Sequence, residues 1–192
     1  EEGSVTKQYP KFLNKEITSI NNIIEILRVS VFSYELIEIL VNEILVNYQL
    51  EKKTIIVNII GAGGAGKTTV TELLKCALEY LDLAEFNLKS RGPQSNILKV
   101  VTLSTDDLLE DRKFRRQPQE EGQDVMRGPG MYDWSRGLTL LQALKEGKSV
   151  KLPRRDKDGN TEWDAVEVGN VDVVILEGVM SGQGQTKDLI DI

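Results

Sequence analysis

Hydrophobic residues in the first fifty positions recur at intervals of three and four, as they do along one face of an α-helix. This pattern predicts two helices between residues 17 and 50. Their apolar positions are Ile20, Ile23, Ile24 and Leu27 in the first helix, and Leu36, Ile37, Leu40, Ile44 and Leu45 in the second. Such helices form either a packing layer on the domain that follows or a regulatory or dimerising appendage, and the packing layer is the commoner case.

Beyond residue 52 the pattern changes to short, almost wholly apolar runs that alternate with helical segments. Strands are predicted at Thr54–Ile60, Ile97–Leu103 and Val171–Leu176, and helices at 68–81 and 138–146. Because such runs are typical of parallel strands covered on both faces, we expect a three-layer α/β sandwich with a parallel sheet over residues 53–192. A helical N-terminal segment over residues 1–52 precedes it. The charged segments 110–130 and 154–162 are predicted to be loops or mobile lids.

The overall charge of the chain is acidic, −6, from 30 Asp and Glu against 24 Lys and Arg. This balance gives no long-range attraction to nucleic acid or an anionic membrane, so neither is an expected partner. The apolar stretch 29–50 contains three glutamates, which a bilayer-spanning helix would hardly tolerate. Cys76 is the single cysteine, which precludes an internal disulfide and favours a cytoplasmic location. Histidine is absent, so a general base has to be a carboxylate or a lysine.

A glycine-rich stretch from Gly61 to Thr68 matches the pattern G-x-x-x-x-G-K-[ST] and lies between a predicted strand and a predicted helix. Glycines let consecutive backbone N–H groups point into one concavity, and the helix start adds the positive end of its dipole. The loop is therefore predicted to hold the phosphates of ATP, with Lys67 reaching the β- and γ-phosphates and Thr68 binding Mg²⁺. A glycine-rich turn without a ligand would not account for Gly-Lys-Thr at the helix start. The predicted nucleotide-binding residues are Gly61, Gly63, Gly64, Ala65, Gly66, Lys67, Thr68 and Thr69.

Acidic residues follow two of the predicted strands, at the end where open α/β sheets bind their ligands. Asp106 and Asp107 follow the second strand, and Glu177 follows the third. We expect Asp106 to be a catalytic residue, with Lys67, that accepts the proton of an attacking hydroxyl, and also to belong to the metal site. Glu177 is expected to hold the metal directly or through water, and Asp107 is a second candidate for a metal contact. Alternatively, the two aspartates are an N-cap pair that begins a helix at Leu108.

Four blocks of the sequence resemble the phosphoribulokinase and uridine kinase family of phosphate-loop kinases, which also includes pantothenate and glycerate kinases. The blocks are residues 61–69, 104–109, 127–134 and 174–178. The resemblance implies that Asp106 is the base and that Asp133 contacts the acceptor. It also implies that Arg127 holds an anionic group on the acceptor, with Tyr132 in the same block.

The stretch after Pro153 bears on the identity of the acceptor. Arg155 occupies the tyrosine position of the Pro-x-Tyr-Asp pattern of uridine kinases, which disfavours a nucleoside acceptor. Arg154, Asp156 and Lys157 are similar to the corresponding stretch of glycerate kinases, whereas Tyr132-Asp133 is closer to pantothenate kinases. The resemblance therefore favours an anionic acceptor such as glycerate, with Arg155 among the acceptor-binding residues.

Other functions stay open alongside this one. They are a pantothenate- or uridine-type kinase and a catalytically silent nucleotide-binding regulatory module. A GTPase switch is disfavoured, because the chain lacks an Asn-Lys-x-Asp motif. Family members usually have five parallel core strands and a lid, so the core is expected to be incomplete at its C-terminal end. A small-molecule alcohol is the expected partner, and a homodimer is a further expectation.

Overall fold

The computed structural model describes residues 34–82, 97–110, 131–179, 181 and 184–192. The helices are α1 (Tyr34–Glu51), α2 (Lys67–Glu79) and α3 (Trp134–Lys145). The strands are β1 (Ile55–Ile60), β2 (Val100–Ser104), β3 (Val150–Arg155), β4 (Thr161–Val168) and β5 (Val173–Gly178). Two 3-10 turns cover Thr105–Leu108 and Gly184–Leu189.

Three of the strands form a parallel sheet in the order β1-β5-β2. Val173 at the start of β5 pairs with Ile55 on one side and Val100 on the other, so the three strands begin in step. Their carboxyl ends therefore meet at one edge of the sheet, where Glu177 pairs with Ile59 and Ser104. The predicted α/β fold with a parallel sheet is confirmed.

Apolar side chains of the central strand point alternately to the two faces of the sheet. Val173 and Ile175 join the cluster under α1 and α2, whereas Val174 and Leu176 join the cluster under α3 and the β3–β4 hairpin. All four are completely buried. Burial on both faces explains why β5 is an uninterrupted apolar run, and it produces the three layers that the pattern predicted.

Helix α1 packs onto the sheet through one face, which includes Ile37 and Ile44. Its Tyr48 hydroxyl donates a 2.7 Å hydrogen bond to Oδ1 of Asp172, a carboxylate that is only 1% exposed. Oδ2 of Asp172 accepts from the backbone N–H of Lys99 at 2.8 Å. This carboxylate thus joins α1 to the starts of β5 and β2. The first predicted helix lies outside the described residues, and the division at residue 52 stays a prediction.

A second, antiparallel sheet consists of β3 and β4 alone among the described residues. The prediction of a loop or lid over 154–162 was wrong, because only 156–160 form the turn of this hairpin. Asp156 stabilises the turn by accepting the backbone N–H of Asn160 at 2.8 Å, and Gly159 turns the chain with a φ of 82°. Strand β4 has an alternating pattern with one face exposed, unlike the buried runs by which the other strands were predicted.

The last residues lie along the edge of β1 that faces away from β5. Ile192 accepts a 2.9 Å hydrogen bond from the N–H of Asn58, and Asp191 Oδ2 accepts from the N–H of Ile56 at 2.8 Å. Strand β1 therefore has hydrogen-bonded neighbours on both sides.

Candidate active site

The phosphate loop spans residues 61–66, between the end of β1 and the start of α2. Gly64 and Gly66 have φ angles of 74° and 83°, in the left-handed region that residues with a side chain rarely adopt. Because Gly66 is the N-cap of α2, no side chain caps the N–H groups of the first helical turn. An anion is a natural partner for such groups at a helix start.

Lys67 is the first residue of α2, and its side chain lies back across the loop. Its Nζ donates a 2.9 Å hydrogen bond to the carbonyl of Ala62. A Cβ on Gly61 would lie 3.4 Å from Cγ of Lys67, so the glycine leaves room for the lysine side chain. The ammonium group is thus held within the glycine-rich loop, where a polyphosphate would lie.

Thr68 and Glu177 meet at the carboxyl edge of the sheet. The Thr68 hydroxyl lies 3.3 Å from Oε1 and 3.2 Å from Oε2 of Glu177, within hydrogen-bond distance of both. The contact joins the first turn of α2 to the end of β5, across 109 residues of sequence. Two of the three residues that the sequence predicted in the metal site therefore lie together.

Hydroxyl and carboxylate oxygens are the hard donors that Mg²⁺ prefers. Mg²⁺ is usually held by one or two protein groups together with substrate phosphates and water, so this sparse set fits it. The described part of the chain contains no cluster of three or more acids and cysteines that could bind a metal without a substrate. Thr68 and Glu177 would therefore hold the ion together with the nucleotide.

Asp106 lies in the 3-10 turn that directly follows β2. Ser104 is the N-cap of this turn, and its hydroxyl accepts the N–H of Asp106 at 3.3 Å. The alternative in which the aspartates form the cap was therefore wrong. The Asp106 side chain is exposed, at the same edge of the sheet as Glu177. Its roles as base and as metal contact stay predictions.

The turn that carries Asp106 is packed tightly against the strand that carries Glu177. Gly178 has a φ of 153°, and a Cβ at this position would overlap the Thr105 hydroxyl and lie 2.8 Å from Thr105 Cβ and Cγ2. Thr105 is itself completely buried. Only glycine at 178 allows this approach. In the Glu-Gly pair, Glu177 thus contacts Thr68, and Gly178 lets the Asp106 turn pack against β5.

Asp107 is directed to the β3–β4 hairpin. Oδ1 accepts the backbone N–H of Arg155 at 3.1 Å, and Oδ2 lies 3.4 Å from Nη1 of Arg154. Both oxygens of Asp107 thus have partners on the hairpin, and a metal contact by this residue stays a prediction.

The predicted acceptor residues fall into three groups. Arg155 contacts the 3-10 turn 105–108, since its Nη1 donates to the carbonyl of Asp106 at 3.1 Å. Asp133 is the N-cap of α3, and its carboxylate accepts the N–H of Arg136 at 3.0 Å, while the Tyr132 ring lies 5.1 Å from that of Trp134. Arg127 lies outside the described residues. An acceptor contact by any of these residues stays a prediction.

One carboxylate near the site has a shifted pKa. Hydrogen bonds from Asn160, first from its backbone N–H, stabilise the ionised form and lower the pKa of the exposed Asp156. The hydrogen bonds of Asp156 within the hairpin turn therefore explain why an aspartate follows Arg155.

Sequence reasoning missed the contacts of the Asp106 turn with Arg154 and Thr161, and the contact of Thr105 with Gly178. Thr161 donates from its hydroxyl to the carbonyl of Leu109 at 2.7 Å. Only the contact of Gly178 with Thr105 had a local signal in the sequence. A glycine directly after an acid at a strand end indicates that another part of the backbone approaches closely.

The profile of the phosphoribulokinase / uridine kinase family matches residues 56–192. The chain belongs to this family. The match begins at β1 and includes the phosphate loop, the Asp106 turn, the hairpin and Glu177.

Individual relatives agree with this membership. A uridine kinase from Staphylococcus aureus is 28% identical over 144 residues, which are 73% of this chain and 60% of that protein. The chain thus spans about 60% of the length of the curated relatives it matches.

Two solved structures share the fold. A kinase assigned to a fructose transport system, from Silicibacter sp. TM1040, has a TM-score of 0.61 at 22% identity, covering 81% of this chain and 71% of its own. D-glycerate 3-kinase from Cryptococcus neoformans var. grubii has a TM-score of 0.58 at 24% identity, covering 78% and 53%. None of the helices in the described ranges is long and apolar enough to cross a membrane.

Proposed function

We propose that this chain is the nucleotide-binding core of a Mg-ATP-dependent kinase that phosphorylates a hydroxyl group of a small-molecule acceptor. The observation that carries the proposal is the contact between Thr68 and Glu177, 3.2 Å apart beside the phosphate loop. It supplies the oxygen pair that a nucleotide-bound Mg²⁺ needs, one strand away from the exposed carboxylate of Asp106.

The proposed reaction transfers the γ-phosphoryl group in line. The acceptor oxygen forms a bond to the γ-phosphorus, the bond from that phosphorus to the β–γ bridging oxygen breaks, and ADP leaves. Asp106 takes the proton of the acceptor hydroxyl, while Lys67 stabilises negative charge on the phosphates. Thr68 and Glu177 would hold Mg²⁺, which would supply positive charge to the phosphates of the nucleotide.

An anionic acceptor such as glycerate is favoured by the charge beside Asp106. Arg155 bonds the Asp106 carbonyl with one N–H, and a guanidinium carries five donors in all. It is thus suited to hold a carboxylate or phosphate on the acceptor at the same time. A planar nucleoside base would lack the tyrosine that uridine kinases have at this position. The likeness of the glycerate kinase structure supports the fold alone.

A panel assay tests the proposal. ADP release with Mg-ATP is measured in separate assays with glycerate, with pantothenate and with uridine, and in a control without any acceptor. We expect glycerate to give the largest stimulation. Stimulation by pantothenate or uridine alone would correct the acceptor, and no stimulation by any acceptor would favour the silent nucleotide-binding module.

Two substitutions assign the roles. Asp106→Asn should lower kcat by about 10²–10⁴-fold because the base is lost, with little change in Mg-ATP affinity, because the phosphate loop and the Thr68–Glu177 pair are untouched. Lys67→Ala should weaken both Mg-ATP binding and turnover, whereas Lys53→Ala, at an exposed site outside the loop, is the matched control. Unchanged turnover in Asp106→Asn would remove it as the base. Acceptor contacts by Arg127, Tyr132 and Asp133, and a homodimer, stay predictions.

A further inference from the structure

We propose that Asp107 is a positioning residue that joins the β3–β4 hairpin to the turn that presents Asp106, so that the hairpin sets the geometry of the base. The inference rests on the proposed kinase function and deepens it. Asp107 would touch neither acceptor nor nucleotide, and it would act through its neighbour.

Four side-chain contacts join the hairpin to the segment 106–109, and we call this set the hairpin junction. Two are made by Asp107, to the N–H of Arg155 at 3.1 Å and to the Arg154 guanidinium at 3.4 Å. The other two run from the Arg155 guanidinium to the Asp106 carbonyl at 3.1 Å, and from the Thr161 hydroxyl to the Leu109 carbonyl at 2.7 Å. The junction therefore holds both the peptide of Asp106 and the residues that follow it.

Burial indicates which of these contacts matters most. The Asp107 side chain is 13% exposed, whereas that of Arg154 is 44% exposed. Water and salt screen an ion pair with so exposed a partner, so the Arg154 contact contributes little by itself. The hydrogen bond from the backbone N–H of Arg155 is the stronger one, because it is shorter, at 3.1 Å against 3.4 Å, and partly buried.

The junction acts on a short turn whose two end residues have other anchors, since Thr105 and Leu108 are both completely buried and the Leu108 carbonyl accepts the Asp133 N–H at 2.8 Å. The 3-10 turn has four residues, and its cap is a 3.3 Å hydrogen bond from the Asp106 N–H to Ser104. On its other side Thr105 is fixed by its close packing under Gly178. Without Asp107 the buried Thr105 and Leu108 would stay in place, but the exposed Asp106 between them would be held to the hairpin only through its carbonyl, by the Arg155 guanidinium, and its carboxylate would shift relative to the acceptor. A misplacement of about 1 Å is enough to cost about 10²-fold in rate.

The same contacts give the hairpin a means of responding to the acceptor. Arg155 belongs to the junction through its backbone N–H and its guanidinium. The guanidinium also belongs to the predicted acceptor site. An anion that binds Arg155 would therefore displace β3, and the contacts of Asp107 would transmit this displacement to the turn of Asp106. Positioning of the base and recognition of the acceptor would then be linked in one structural element.

Two substitutions of Asp107 test this role. Asp107→Ala removes both junction contacts, and we expect kcat to fall by about 10–100-fold. The dissociation constant of Mg-ATP, measured by fluorescence titration, should stay within about twofold of wild type, since the Thr68–Glu177 pair is untouched. Asp107→Asn keeps an oxygen that can accept the Arg155 N–H, so it should recover most of the lost kcat. The pH profile of kcat should keep the wild-type shape, because Asp106 remains the base.

Asp164→Asn is the matched control, since it neutralises an exposed acid on the same hairpin and should leave kcat unchanged. Assays use Mg-ATP with whichever of glycerate, pantothenate and uridine supports turnover, and thermal unfolding confirms that each variant is folded. Wild-type kcat in Asp107→Ala would overturn the inference. A loss of Mg-ATP affinity in place of kcat would also overturn it, by returning Asp107 to the metal site. If wild type itself turns over no acceptor, the proposed function fails first.

Discussion

Replacing Gly178 by alanine should destabilise the protein where β5 packs against the 3-10 turn 105–108. The new methyl group would overlap the Thr105 hydroxyl and lie 2.8 Å from two of its carbons, in a place where Thr105 is completely buried. Overpacking of this kind costs about 1–3 kcal/mol. Holding an alanine at a φ of 153° adds about 1–3 kcal/mol of backbone strain. The expected loss is therefore about 2–6 kcal/mol, less whatever relaxation of the turn recovers.

Urea denaturation followed by tryptophan fluorescence measures this loss, because Trp134 and Trp163 both lie partly buried near α3 and the hairpin. Gly63→Ala is the control, since a Cβ there has nothing within 4 Å. Adding Thr105→Ala should recover part of the loss, because it removes the hydroxyl and methyl that the new Cβ meets. A Gly178→Ala variant within about 0.5 kcal/mol of wild type would refute the reasoning, as would strict additivity with Thr105→Ala.

Two further substitutions and one labelling experiment test other parts of the structure. Thr68→Val keeps the side-chain shape but removes the metal-binding hydroxyl, so kcat should fall by about 10²-fold, and added Mg²⁺ should restore part of it; wild-type kinetics would contradict the metal role. Tyr48→Phe removes the donor to the buried Asp172, so urea denaturation should show a loss of about 1.5–3 kcal/mol, and no loss would mean that this contact does not hold α1. Burial raises the pKa of the Cys76 thiol, so less of the reactive thiolate is present at any given pH than in a free cysteine. Iodoacetamide should accordingly modify Cys76 more slowly than glutathione at pH 8, and an equal rate would contradict the burial.

Features that depend on neighbours in sequence were predictable from the sequence. The phosphate loop needs glycines, a lysine and a threonine at fixed spacing between a strand and a helix, and the structure has β1 ending at Ile60 and α2 beginning at Lys67. The three core strands are apolar runs because both faces of the sheet are buried, so composition alone indicates them. The acids after β2 and β5 were therefore expected at one edge of the sheet, as Glu177 and Asp106 are.

Features that depend on distant residues were decided only by the tertiary structure. The neighbouring acids Asp106 and Asp107 look equivalent in sequence. The residue that distinguishes them, Arg155, bonds Asp107 from 48 residues away, so the local sequence could not assign different roles to the two. Strand β4 was missed because its pattern is set by one half-buried face, and that face exists only once the hairpin packs. The contact of Gly178 with Thr105 likewise depends on how closely two neighbouring strands end. Local sequence thus determines the phosphate loop and the acids at the strand ends. Packing across the sheet and the hairpin determines which of these acids stays exposed and which bonds to another part of the chain.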